Sequence, residues 1–113
     1  FLYHNEEDSI SPFWSRIYSD CAEFNNYKIK LFNDAIQNVN EMNQQEQVIP
    51  AKGMILGHSP QFMYDKPMNS ALNGRIWRVD VGMSRAFGKR ENEPLRNIQV
   101  LEILNDTTFN VLS

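Results

Sequence analysis

Three observations predict a mixed α/β fold, of the α+β kind, for this chain. A stripe of apolar residues at three- and four-residue steps runs from Asp20 to about Gln45. Short apolar or alternating runs follow from Gly53 onward, at the length of strands rather than helices. Gly, Pro and Asn-Gly signals separate those runs.

Residues 1–11, FLYHNEEDSIS, mix aromatics with acids and read as a loop or linker. His4 stands near Glu6, Glu7 and Asp8 at a spacing that fits no ligand motif, so a solvated acidic loop is expected there. Pro12 biases Ser11 to an extended backbone, and Phe13, Trp14 and Tyr18 can anchor this stretch on a core. In the helical stretch Phe24, Leu31, Phe32, Ala35, Ile36, Val39 and Met42 form the apolar face, with Glu, Lys, Asn and Gln opposite. Ser19 or Asp20 is the expected N-cap, with Glu23 in capping-box register to Asp20. Pro50 closes the connection to a strand over 53–57.

Residues 62–74 read as a spacer that ends in Asn73-Gly74, the strongest short turn signal in the chain. The next strand, 75–81, alternates, with Arg75, Trp77, Val79 and Val81 on one face and Ile76, Arg78 and Asp80 on the other. Lys89 to Asn97 is charged, contains Pro94 and reads as an exposed loop. Residues 98–104 and 108–112 form two further strands joined at Asn105-Asp106. All four strands are expected to share one mostly buried sheet, with the helix packed on it through Phe24, Leu31, Ala35 and Val39.

Composition bounds the function classes. A chain of 113 residues with 42% hydrophobic and 22% charged residues suits one soluble domain of modest core. A net charge of -3 argues against a general nucleic-acid binder, and Glu91 and Glu93 offset Arg85, Lys89, Arg90 and Arg96. A single cysteine, Cys21, excludes an internal disulfide framework and fits a reducing, intracellular (cytoplasmic) compartment. No apolar run approaches the ~20 residues of a membrane span, so no membrane partner is expected.

The stretch that carries chemistry runs from Lys52 to Gly88. Met54-Ile55-Leu56 ends abruptly in Gly57-His58-Ser59-Pro60-Gln61, which places His58 on a loop just past the carboxyl end of a strand. A rigid sheet presents a metal ligand or a proton-transfer group from such a place, and an ordinary loop histidine fits it too. The ordered set of strand–GHSPQ, spacer, strand–DVGMS–AFG and a later QVLEI strand resembles the C-terminal half of calcineurin-like metallophosphoesterases. The nearest likeness is to their phosphoprotein-phosphatase-like and Shewanella-like branch, and it covers roughly positions 12 to 112.

The resemblance implies a two-sheet β-sandwich with a flanking helix, two divalent metal ions (Mn, Fe or Zn) and hydrolysis of a phosphoester or phosphoprotein substrate. It makes His58 the last metal-ligating histidine and Arg16 a candidate phosphate clamp, because a guanidinium fork matches phosphate oxygens. The plainer reading of Arg16 is a surface arginine whose stem packs on Trp14 or Tyr18. Asp80 is a candidate to orient the His58 ring by accepting its second N–H; the alternative is that it bonds amides of the Gly82 turn. Ser84 and Arg85 are candidates to line the pocket.

The family's Asp-x-His, Gly-Asp-x-x-Asp and Gly-Asn-His motifs do not occur in these residues. The chain also starts at Phe1. Residues 1–113 are therefore expected to be one partial domain, the C-terminal half of an enzyme whose N-terminal half supplies the other ligands, and to be inactive alone. The competing expectation is a non-catalytic structural or interaction module derived from such an enzyme, with an assembly partner covering its open faces.

Overall fold

The computed structural model describes residues 16–20, 23–88 and 93–113. The acidic stretch with His4, the Pro12–Trp14 segment, Cys21 and residues 89–92 lie outside the described residues. The architecture is mixed, with one α-helix and small sheets among the described residues. The chain divides into two compact units, Phe1–Gly53 and Met54–Ser113.

Helix α1, Asn26–Gln45, dominates the first unit. Its N-cap is Asn25, whose side-chain oxygen accepts the Lys28 N–H at 2.9 Å. The helix thus starts later than a cap at Ser19 or Asp20 would place it. Asp20 turns to another task, an ion pair with Lys28 Nζ at 3.4 Å. Only the middle of the apolar stripe is buried, at Phe32 and Ile36. Leu31 and Ala35 are half-buried, and Val39 and Met42 are exposed, so the stripe is not a continuous core face. Tyr18 stacks on Phe24 with ring centroids 6.2 Å apart and meets Phe32 edge-on at 6.1 Å. Desolvation, and after it the neighbouring Tyr27, push the Tyr18 phenol above its ordinary value of 10.0.

The helix ends in a Schellman arrangement: Val48 N–H donates to the Asn43 carbonyl at 2.8 Å and Gln47 N–H to that of Gln44 at 3.2 Å. The residue that must turn left-handed is Gln47, at φ 59, where glycine is the usual choice. Gln47→Gly is expected to stabilise the chain by up to about 1 kcal/mol, read as a rise in thermal midpoint. Beyond the turn, Asn40 holds the returning chain with both ends of its amide. Its Nδ2 donates to the Ala51 carbonyl at 3.0 Å, and its Oδ1 accepts the Ala51 N–H at 2.6 Å.

The second unit begins with three short strands: β1 (Met54–Leu56), β2 (Asn69–Ala71) and β3 (Ile76–Arg78), in the order β1-β3-β2. The central β3 runs parallel to β1 and antiparallel to β2. β2 lies inside the stretch that reads as a spacer, because Asn-Ser-Ala carries no strand signal. The Asn73-Gly74 turn forms where expected: Leu72, Asn73 and Gly74 have φ of 51, 55 and 81, and Arg75 N–H returns to the Leu72 carbonyl. β3 is shorter than the alternating run. After one more ladder bond, Val79 N–H to Leu56, the Asp80 carbonyl accepts Gln61 N–H at 2.8 Å instead of pairing with a strand.

β4 (Val100–Leu104) and β5 (Thr108–Leu112) form a separate antiparallel hairpin with Val100 opposite Leu112 and Leu104 opposite Thr108. Asn105 and Asp106, at φ 53 and 58, make its turn. The strands therefore fall into two sheets, which corrects the expectation of one. Gln99 shows why. Its buried side chain accepts the Met68 N–H at 2.9 Å and donates to the Leu95 and Asn97 carbonyls. The backbone group at the entrance to β2 is thus satisfied by a side chain rather than by a further strand. The hairpin meets the three-stranded sheet through Phe109, stacked on Trp77 at 5.6 Å.

Candidate functional site

β1 stops at Leu56, and the chain turns through Gly57, His58 and Ser59. Ser59 N–H donates back to the Gly57 carbonyl at 2.9 Å, closing a tight turn around His58. His58, not Gly57, takes the left-handed conformation, at φ 70. A non-glycine residue there costs about 1–3 kcal/mol and persists only where its surroundings impose it. The His58 side chain is exposed, while Ser59, Pro60 and Gln61 behind it are buried. His58 follows directly on the carboxyl end of β1, the position on the chain expected for it.

Behind the turn lies a chain of buried polar groups. Gln61, with no exposed surface, donates from Nε2 to the Ser59 carbonyl at 2.8 Å. Its Oε1 accepts from Asn69 Nδ2 at 2.9 Å, and that nitrogen also lies 2.9 Å from the Pro67 carbonyl. Asn69 Oδ1 accepts from Arg78 Nη1 at 2.8 Å. Arg78 is only 5% exposed, and it sits in register with Leu56 on one side and Asn69 on the other. A buried guanidinium is tolerated only when hydrogen-bonded, and these neighbouring strands supply its acceptor. Sequence reasoning missed Gln61, Asn69 and Arg78 as a group. The one available signal was Arg78 sharing a strand face with Ile76.

The DVGMS loop is pinned separately. Asp80 Oδ1 accepts the Gly82 N–H at 2.9 Å, so this carboxylate bonds its own turn, the simpler of its two readings. Gly82 is left-handed at φ 63, and a Cβ there would lie 2.5 and 2.6 Å from two ring carbons of Phe62. Ser84 is exposed and caps the short 3-10 turn Arg85–Phe87, its Oγ accepting the Ala86 N–H at 3.2 Å. Arg85 is exposed on that turn. Arg96, expected on an exposed loop, is instead only 3% exposed. Its Nε donates to the Gly82 carbonyl and its Nη2 to the Ser84 carbonyl, both at 2.8 Å, and its guanidinium lies 5.0 Å from the Phe62 ring centroid. The rigid fork of arginine spans two carbonyls of one turn, which accounts for the burial.

His58, Asp80, Ser84 and Arg85 all belong to the unit Met54–Ser113. Arg16 belongs to the other unit; it is exposed, and its carbonyl accepts the Ser19 and Asp20 N–H groups at 3.1 Å. Among the described residues no three His, Cys, Asp or Glu side chains come together as metal ligands. His58 stands among the described residues as a single imidazole, short of the three or four ligands a metal site needs. Among the described residues, no helix is long and apolar enough to cross a membrane.

No family profile matches the chain, and no solved structure matches it. A protein of Acanthamoeba polyphaga mimivirus, itself described as uncharacterized, is 30% identical over 116 residues. The alignment takes in 95% of this chain and 42% of the viral protein, so the chain spans less than half the length of that relative.

Proposed function

We propose that the chain is the C-terminal part of a metal-dependent phosphoesterase, in which His58 supplies one ligand to a divalent-metal centre that hydrolyses phosphomonoesters. The observation that carries this reading is His58 itself. It stands exposed and left-handed immediately after β1, within GHSPQ, ahead of an arginine-pinned DVGMS loop. A strained histidine at a strand end is the kind of outlier that accompanies function. The remaining ligands and the bridging carboxylate come from outside these residues, and the segment alone is inactive. Ser84 and Arg85 are the candidates to line the pocket beside His58, and Asp80 acts by shaping the turn at Gly82.

His58→Ala in the full-length polypeptide is expected to reduce bound metal and turnover of an aryl phosphate together, by about 100-fold or more in rate. Unchanged metal content with full activity would remove His58 from the site. A fall in rate with metal retained would make it a proton-transfer group instead.

One observation favours the second reading, a non-catalytic interaction module. The hairpin leaves Val100, Leu104 and Leu112 exposed on one face and Ile103 and Val111 exposed on the other, exposed apolar residues of the kind that partners cover. A full-length protein that binds no metal and hydrolyses no phosphoester would favour this reading over the enzyme.

A further inference from the structure

We propose that Arg78, Asn69 and Gln61 are positioning residues for His58, a buried relay that holds the Ser59 peptide and so keeps the imidazole presented without help from a ligand. This rests on His58 being the functional group of the loop. The imidazole makes no hydrogen bond among the described residues, so its direction is set by the backbone turn beneath it. That turn is held at both sides of Ser59. The N–H is bonded to the Gly57 carbonyl, and the carbonyl is bonded to Gln61 Nε2. Gln61 is anchored in turn by its own backbone, its N–H bonded to the Asp80 carbonyl and its carbonyl to Lys66 N–H at 3.1 Å.

The polarity of the relay is set by groups that only donate or only accept, the Arg78 guanidinium at one end and the Pro67 and Ser59 carbonyls along it. A guanidinium only donates, so Asn69 must turn Oδ1 toward Arg78 Nη1. Asn69 then presents Nδ2 to Gln61 and takes Gln61 Oε1 as its acceptor. The remaining end of the Gln61 amide, Nε2, is thereby aimed at the Ser59 carbonyl. The Arg78 donor and the Pro67 and Ser59 acceptors thus agree on which way the two side-chain amides point, and the second of them locks the turn. Such a network rigidifies only while every member is satisfied.

Two substitutions break the relay at different links. Asn69→Asp keeps an acceptor for Arg78 and nearly the same shape, but it removes the donor to Gln61. Gln61→Met removes both amide ends within a similar volume. Ile76→Val, in the fully buried core of the same strand, serves as the comparison for general destabilisation. The readouts, in full-length polypeptide labelled at histidine, serine and leucine, are the His58 Cα and Cβ chemical shifts and the exchange rate of the Ser59 amide, with leucine amides of β4–β5 as reference. Each relay variant is expected to move the His58 shifts away from left-handed values and to speed Ser59 exchange about tenfold relative to the reference.

Ile76→Val is expected to leave both untouched. Left-handed His58 shifts and a Ser59 rate within about twofold of wild type in the relay variants would overturn the proposal; so would the same change in Ile76→Val. If Gln61→Met does not fold, Asn69→Asp decides alone. The outcomes separate from those of the proposed function. A freed Ser59 amide together with unchanged metal and turnover in His58→Ala sustains the relay and removes the catalytic reading. A metal-dependent His58 with an unmoved Ser59 amide does the reverse.

Discussion

Gly82→Ala is expected to destabilise the Met54–Ser113 unit by about 2–5 kcal/mol, the sum of a left-handed residue with a Cβ and an overpacked contact. Both terms come from one position. Gly82 lies at φ 63, and an added Cβ would sit 2.5 and 2.6 Å from ring carbons of Phe62 and 3.3 Å from Pro60 Cβ. The ring has little room to retreat, because Phe87 meets it edge-on at 5.9 Å and the Arg96 guanidinium stands 5.0 Å from its centroid. Displacing Phe62 would therefore loosen the loop that Gly82 begins. Gly57 offers the contrast: nothing lies within 4 Å of a Cβ built there. Gly57→Ala is expected to stay within about 0.5 kcal/mol of wild type. Urea denaturation of both variants is the measurement, and equal midpoints would show that the Phe62 contact does not constrain the turn.

Arg96→Met is expected to cost about 2–4 kcal/mol, because it leaves the buried Gly82 carbonyl without its charged donor and removes one of the two donors to the Ser84 carbonyl, which keeps the Phe87 N–H. The carbonyls of Gly82 and Ser84 each accept from Arg96 at 2.8 Å. The apolar replacement fills part of the volume but returns neither bond. Arg96→Lys keeps the charge and loses the fork, and about half of that loss is expected. A local signature accompanies the global one. Arg85, exposed on the 3-10 turn, is a tryptic site whose segment Arg96 holds down. Cleavage after Arg85 should accelerate in Arg96→Met well before the whole unit unfolds. Wild-type rates of cleavage in that variant would mean that the clasp does not restrain the loop.

Much of the local structure was legible in the residues. The helix announced itself through apolar periodicity, and its end lies where that periodicity stops. Asn73-Gly74 and Asn105-Asp106 both form left-handed turns, because short polar side chains and glycine accept positive φ. His58 lies beyond β1 because a three-residue apolar run met Gly and Pro. What stayed hidden was of another kind. β2 has no strand composition, and it pairs because β3 lies beside it. The helix starts at Asn26 because Asn25 caps it, while an equally good capping residue, Asp20, holds Lys28.

Neighbouring residues alone account for the short-range features: one amphipathic helix, the turn positions, the β4–β5 hairpin, and a histidine placed after a strand. Each depends on the conformational preference of a few adjacent residues or on a period within one element. The division of the strands into two sheets, the burial of Arg78 and Arg96, and the left-handed turn at His58 rather than Gly57 emerge with the folded chain. The sheet division and the buried arginines depend on hydrogen bonds between different elements, as from Gln99 to Met68, Arg96 to Gly82 and Arg78 to Asn69. Charge and polarity along a sequence predict exposure. A guanidinium becomes a core residue once folding gathers the carbonyls and amides that satisfy it.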